Sequence, residues 1–331
     1  MADANNFVKK PTSACAAVAI FILTILSAPI FPTGGDSASS VLSLALSGGG
    51  TAWLFFRSGY LPGITAAVSG YFLAWYLSGS PIYAIAALSI IPCGLTYSFV
   101  SKRRLSQSRA VGISTVIISC LSFIIIFLSV FSEAGAFNLS AIKSVFSSFF
   151  EAIRAVLTES FTVTIAGQTV PFITADNTEQ YINMIIGIMP GVIVMMISTL
   201  CFAAGWVYKA LLALTHSEKP EPSDWKLLPA PITAAFFCIA VLFSAVSGSN
   251  TLVWLSSLNI SLMLIPGFFF SGIASITEVN IVNGIPHPKI LRTVLIFLAF
   301  LSGFPALIAT ASLFGVIDSV KTIMPKKDNK T

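Results

Sequence analysis

The chain has 331 residues, of which 56% are hydrophobic and only 9% are charged, and its mean hydropathy is +0.90. Soluble globular domains carry about 25% charged residues, so this chain has too few polar side chains to cover a water-soluble core of its size. The composition therefore excludes an ordinary soluble protein. It predicts an all-α, polytopic transmembrane helical bundle that forms one integral membrane domain over residues 1–331.

Apolar segments of about 20 residues, the length that crosses a bilayer as a helix, recur along the chain. They lie at 13–32, 39–56, 61–79, 81–100, 110–131, 182–213, 231–247, 251–277 and 290–316. The second segment holds three consecutive glycines, Gly48 to Gly50. Because glycine weakens a helix, this run indicates either a broken helix or one that packs closely against a neighbour.

Lysine and arginine indicate the orientation, since they are enriched in cytoplasmic loops. Lys9 and Lys10 place the N-terminus in the cytoplasm, and the Lys102–Arg109 stretch gives the strongest signal that agrees with them. The lysine-rich tail after residue 320 disagrees with nine crossings. We therefore predict eight or nine spans in a plasma membrane. The net charge of +5 is modest and lies at span ends, so it indicates topology and no nucleic-acid partner.

Two longer connections interrupt the spans. Residues 132–180 form an external region, in which Phe137–Phe161 has the periodicity of one amphipathic helix, lying in the membrane interface or capping the outer mouth of the bundle. The alternation in Phe161–Phe172 predicts a short hairpin. Residues 214–230 form a proline-rich cytoplasmic loop.

The sequence lacks the motifs of the common enzyme chemistries. It has no GxxxxGK[ST], no HExxH and no GxSxG, and His216 and His287 stand alone. The five cysteines fall in apolar segments and are interpreted as small buried hydrophobic residues. The span interiors hold no charged residue, which disfavours a conventional proton-driven transporter. We therefore expect no enzyme activity, no catalytic residue, no metal site and no cofactor.

Polar and helix-breaking residues inside the later spans suggest a candidate substrate cavity. The set is Pro190, Ser256, Asn259 and Pro266. A proline in a helix frees a backbone carbonyl, which must find a partner in the bundle or in a wet cavity. Two interpretations stay open, namely kinks with interhelical hydrogen bonds, or a solute cavity near the middle of the membrane.

The first segment carries Ser13 and Ala17, small residues four positions apart that allow close helix approach. The pair predicts either ordinary internal packing or a docking face for another membrane subunit.

Several short motifs, taken in this order, resemble the YybS-like family of predicted bacterial membrane proteins. They are Arg57 in an Arg-Ser-Gly turn, Pro190, the W-x-x-x-P pair Trp225 and Pro229, Pro266, and the G-x-x-D pair Gly315 and Asp318. The resemblance implies a fold similar to the substrate-binding subunits of energy-coupling-factor vitamin transporters. Those subunits lack ATPase motifs and pair with a coupling subunit, often through small residues of the first helix.

Two functions follow as hypotheses. The first is the substrate-binding component of a small-solute transporter, whose partners are the lipid bilayer, another membrane subunit and a small organic solute. The alternative is a non-transporting scaffold for envelope or signalling partners, with the Lys102–Arg109 stretch and the 215–230 loop as contact surfaces.

Overall fold

The computed structural model describes part of the chain. The described residues are 37–61, 81–103, 106–160, 162–165, 168–171, 175–216, 229–248, 251–282 and 305–321, with the single positions 64, 65, 68, 72 and 76. The predicted span 13–32, the docking pair Ser13 and Ala17, and most of the predicted span 61–79 lie outside them, as does the first half of the predicted span 290–316.

The described part consists of helices and one small hairpin. In chain order the elements are α1 Ser37–Ser58, α2 Pro81–Lys102, α3 Gln107–Ala134, α4 Leu139–Val145, α5 Ser147–Ser160, β1 Thr162–Ile165, β2 Gln168–Pro171, α6 Ala175–His216, α7 Pro231–Val246, α8 Leu252–Val282 and α9 Pro305–Lys321. The prediction of a helical membrane protein is thus confirmed at the level of its elements.

Among the described residues, three helices are long and apolar enough to cross a membrane. They are Ser108–Ala134, Thr178–Ala213 and Leu252–Ile276, and they match the predicted spans 110–131, 182–213 and 251–277. Two further apolar helices, Pro231–Val246 and Ile308–Val320, are shorter. The count of eight or nine spans stays a prediction.

The chain folds into two compact units. The first contains the residues up to Ile118, residues 195–236 and those from Leu264, and the second contains Ser119–Val194 and Phe237–Met263. The prediction of one integral membrane domain is not tested by this division, since its boundaries fall inside α3, α6, α7 and α8.

In the first unit, α1 is continuous through its three glycines and packs closely against its neighbours. A β-carbon built on Gly49 would lie 2.5 Å from the carbonyl oxygen of Ala204, and one on Gly48 would lie 3.1 Å from the Ala204 β-carbon. The close-packing interpretation of the glycine run is therefore confirmed, and the broken-helix interpretation is wrong. Close contact compensates for the low helix propensity of glycine.

The four cysteines that the structure describes divide into two groups, and Cys15 lies outside the described residues. Cys93 and Cys201 are buried in the first unit, where the hydroxyl of Tyr97 donates a 2.6 Å hydrogen bond to the carbonyl of Cys201. Cys120 and Cys238 are exposed. The interpretation of every cysteine as buried is wrong for these two, because a small apolar residue on an apolar helix is equally compatible with an outward face.

In the second unit, the predicted amphipathic helix over Phe137–Phe161 is two helices, α4 and α5. Phe146 leaves the helical region, with φ −102° and ψ 26°, and ends α4. The bonds from Phe146 N–H to Ile142 and from Phe150 N–H to Phe146 continue the helical spacing through this residue. The prediction of one helix is therefore wrong, although the predicted apolar face is retained, because periodicity does not detect a single non-helical residue.

That apolar face packs on the start of α6. Phe150 forms a buried cluster with Ile182 and Ile186, and Ile142, Phe146 and Ile153 pack against it. Polar contacts reinforce the same junction, since Lys143 and Arg154 both form ion pairs with Glu179. The side chain of Asn138 caps α4 by accepting a hydrogen bond from Ala141 N–H at 2.8 Å.

The predicted hairpin over Phe161–Phe172 is confirmed. Strands β1 and β2 pair antiparallel, with Thr162 opposite Pro171 and Ile165 opposite Gln168.

The closest backbone approach of the first unit joins α8 to α9. A β-carbon on Gly272 would overlap the backbone carbonyl of Ala311, and one on Gly315 would overlap the carbonyl of Phe268. Only hydrogen fits at either position, so the two glycines set the spacing between these helices.

We therefore expect Gly272→Ala to destabilise the protein by roughly 1–3 kcal/mol, the usual range for overpacking. Gly112→Ala is the matched control, because a β-carbon there meets nothing within 4 Å and alanine raises helix propensity by about 1 kcal/mol. Thermal unfolding of both variants in detergent measures the difference. Equal unfolding temperatures would contradict this packing.

Candidate solute site and family motif

Asn259 joins α8 to α6 in the second unit through hydrogen bonds at both ends of its carboxamide. Its oxygen accepts from Gly191 N–H at 2.6 Å, and its nitrogen donates to the carbonyls of Gly187 at 2.8 Å and Leu255 at 2.9 Å. The partners fix the orientation of the amide, because an N–H only donates and a carbonyl only accepts. Both amide hydrogens are therefore engaged.

The two α6 groups that Asn259 contacts are normally partners of each other. In a regular α-helix, the N–H of Gly191 donates to the carbonyl of Gly187, four residues earlier. The carboxamide of Asn259 bridges the same donor and acceptor from outside the helix. It thus supports the α6 backbone at the point where Pro190 interrupts the pattern of hydrogen bonds.

The two glycines of α6 make this contact possible. A β-carbon on Gly191 would lie 2.7 Å from the Asn259 amide oxygen and 2.9 Å from its Cα, and one on Gly187 would lie 3.0 Å from Leu255. Gly187 and Gly191 are four residues apart, so they follow the same small-residue spacing as Ser13 and Ala17. Gly187 and Gly191 were not among the residues predicted from the sequence, although this spacing was the signal that could have identified them.

Pro190 leaves one acceptor of α6 without its usual donor. Proline has no N–H, so the carbonyl of Ile186 has no partner at the i+4 position of the helix. The amide oxygen of Asn259 accepts a hydrogen bond from Gly191 N–H and has a second lone pair. These two oxygens can both accept hydrogen bonds, and they belong to two helices that are apolar enough to span a membrane.

Three of the four predicted cavity residues belong to one compact unit, and the fourth belongs to the other. Pro190, Ser256 and Asn259 belong to the second unit, where Pro190 and Ser256 are exposed and Asn259 is half-buried. Pro266 is buried in the first unit. We call the group of Gly187, Pro190, Gly191, Ser256 and Asn259 the Asn259 site.

The comparisons with known proteins place the chain at the level of a family. A family model described as "Predicted membrane protein (DUF2232)" matches residues 37–319. The chain belongs to this family. No curated protein and no solved structure matches it.

The DUF2232 match covers all the motif residues that carried the sequence resemblance. In the first unit, Gly315 lies against Phe268, and Asp318 accepts a 2.9 Å hydrogen bond from the Ser275 hydroxyl. A β-carbon on Gly267 would lie 3.7 Å from the ring of Pro229. Three separate motifs therefore meet along the second half of α8, which indicates that their residues hold this part of the fold together.

The remaining motif residues lie elsewhere. The guanidinium of Arg57, in the last turn of α1, lies 5.7 Å from the centre of the Trp53 ring. Trp225 lies outside the described residues.

Replacing Asn259 with leucine should weaken the contact between α6 and α8. Polar contacts between membrane helices contribute about 0.6 kcal/mol on average and up to about 1.7, and three hydrogen bonds place Asn259→Leu towards the upper end of that range. Unfolding in mixed micelles gives the free energy of unfolding. Ser256→Ala, an exposed position on the same helix, is the control and should match the wild type. A leucine variant as stable as this control would contradict the bridging role.

Asp318→Ala should destabilise the contact of α9 with α8 without preventing membrane insertion. The loss should be about 1 kcal/mol, since the Ser275 hydroxyl loses a charged acceptor in a half-buried place. Asp318→Asn keeps an acceptor oxygen and should lose less. Unchanged thermal stability of Asp318→Ala in detergent would rule out a structural role for this carboxylate.

Proposed function

We propose that this protein is the substrate-binding component of a transporter for a small organic solute, and that the Asn259 site contacts that solute. The observation that carries the proposal is the placement of a carboxamide against a proline-interrupted stretch of α6. Transporter binding sites are typically formed where a membrane helix is interrupted and its backbone groups line a cavity.

The donor and acceptor pattern supports a particular class of solute. Both amide hydrogens of Asn259 are engaged, whereas the Ile186 carbonyl and the second lone pair of the Asn259 oxygen are acceptors. A solute with N–H or O–H donors complements them. The α6 sequence from Gln180 to Tyr208 and the α8 sequence from Leu252 to Ile276 contain no charged residue. This favours a solute without net charge, because a lone ion would find no counter-charge there.

Energy for transport would come from separate proteins, since the sequence has no ATP-binding motif. The resemblance to YybS-like proteins, and through them to the substrate-binding subunits of energy-coupling-factor transporters, favours a coupling subunit that docks on Ser13 and Ala17. In this proposal the protein lies in the plasma (inner) membrane with a cytoplasmic N-terminus.

A second candidate is a membrane scaffold without transport activity. The observation that favours it is the exposure of Lys102, Arg103 and Arg109, which present cations for a partner to contact. Its other proposed surface, in the 215–230 loop, lies largely outside the described residues.

Native mass spectrometry of the full chain, gently solubilised from its own host, separates the two functions. A transporter subunit should carry a stoichiometric small molecule. Ser256→Leu should reduce its occupancy several-fold, because a larger apolar side chain then stands one helical turn from Asn259 on α8. Ser148→Leu, an exposed serine on α5, is the matched control and should keep the ligand.

Two results would contradict the proposal in part or in whole. Equal occupancy in both leucine variants would mean that the solute does not bind at the Asn259 site. A chain without any small molecule that retains an envelope or signalling protein would overturn the transporter proposal and favour the scaffold.

A further inference from the structure

Helices α1 and α2 of the first unit end on the same side. Gly48 of α1 faces Cys93 of α2, and further along both helices Tyr60, two residues beyond α1, lies beside Lys102 in the last turn of α2. The contacts advance in the same direction along the two helices, so they run parallel. Helix α3 starts four residues after Arg103, at Gln107, so its N-terminus lies at this end as well.

Among the described residues, three exposed cations lie at this end, and we call them the basic collar: Lys102, Arg103 and Arg109. Two of them lie over aromatic rings. Lys102 Nζ lies 4.1 Å from the centre of the Tyr60 ring, and Arg103 Cζ lies 5.0 Å from that of Phe99. Aromatic rings with basic side chains are characteristic of the membrane–water interface.

The collar has no acidic counterpart nearby in the chain. No aspartate or glutamate occurs between Ser37 and Ser132. Lys143 and Arg154, by contrast, form ion pairs with Glu179 in the second unit. Lys102, Arg103 and Arg109 are exposed.

Helix dipoles neutralise only a small part of this charge. Each helix end carries about half an elementary charge, negative at the C-termini of α1 and α2 and positive at the N-terminus of α3. The net contribution of these three ends is therefore about half a negative charge, against the three cations of the collar. The helix ends thus leave most of the charge of these exposed side chains unneutralised.

We propose that the basic collar binds the phosphate groups of anionic phospholipid headgroups. The cations supply the charge-assisted hydrogen bonds that phosphate oxygens accept, and the aromatic rings hold those cations at headgroup level. The collar follows the fourth predicted span, on the predicted cytoplasmic side, where anionic lipids attract basic residues close to the membrane.

The test uses the full chain in neutral detergent micelles that contain either phosphatidylglycerol or phosphatidylcholine, with retained lipid measured by native mass spectrometry. The wild type should prefer the anionic lipid. The triple variant Lys102→Gln, Arg103→Gln and Arg109→Gln should lose roughly 10- to 100-fold of that preference, since each cation near a membrane surface contributes a several-fold factor. The control variant Lys143→Gln with Arg154→Gln, which removes cations from the second unit, should keep it.

Three outcomes would overturn the proposal. The first is equal retention of the two lipids by the wild type. The second is displacement of the anionic lipid by inorganic phosphate at millimolar concentration, which would indicate a site for a soluble anion. The third is displacement by a co-purified acidic protein, which would indicate a protein interface.

A measurement on the wild type alone covers the case in which the triple variant does not fold. The preference for phosphatidylglycerol should fall steeply as ionic strength rises from about 0.05 to about 0.5 M, because exposed charges are screened over this range. A preference that does not change with salt would mean that the lipid preference does not come from the charge of the collar. Failure of this proposal leaves the transporter proposal untouched, because the two concern different units.

Discussion

Close approach of helix backbones at glycine is the constraint on which the described structure depends. Apolar burial provides little preference for one helix neighbour over another inside a bilayer, because lipid tails are as apolar as leucine. Contact at short range supplies the specificity instead. Gly49 against Ala204, Gly191 against Asn259, and Gly272 against Ala311 each occupy positions at which a β-carbon would meet backbone atoms.

The Asn259 bridge shows how such an approach acquires chemistry. Once the glycines of α6 admit the α8 backbone, a carboxamide reaches the donor and the acceptor that flank Pro190. Proline and asparagine are both costly inside a membrane helix when they stand alone. Here the asparagine pairs with backbone groups beside the proline, and the proline leaves an acceptor of α6 without its usual donor, which is why we propose this part of α6 as the solute contact.

The solute proposal and the lipid proposal depend on different physical interactions. The solute proposal depends on hydrogen bonding in an apolar environment, where a single unpaired acceptor is significant. The lipid proposal depends on exposed charge at the level of the headgroups, where salt screens each cation. The experiments that test them therefore respond to different variables, side-chain size in one case and ionic strength in the other.

Hydrophobic periodicity and residue type predicted much of this protein from the sequence alone. They predicted its membrane class, three long apolar helices, the β1–β2 hairpin and the apolar face of α4 and α5. They also singled out Asn259 and Pro190 as candidate cavity residues. Each follows from local pattern, which one chain carries without reference to its neighbours. Tertiary structure alone decided that α1 runs unbroken through its glycines, that Phe146 separates α4 from α5, and that Asn259 contacts Gly191. It also decided that Cys120 and Cys238 face outwards. These features depend on which helix lies opposite each residue, and in a bundle where nearly every face is apolar the sequence pattern does not distinguish one neighbour from another.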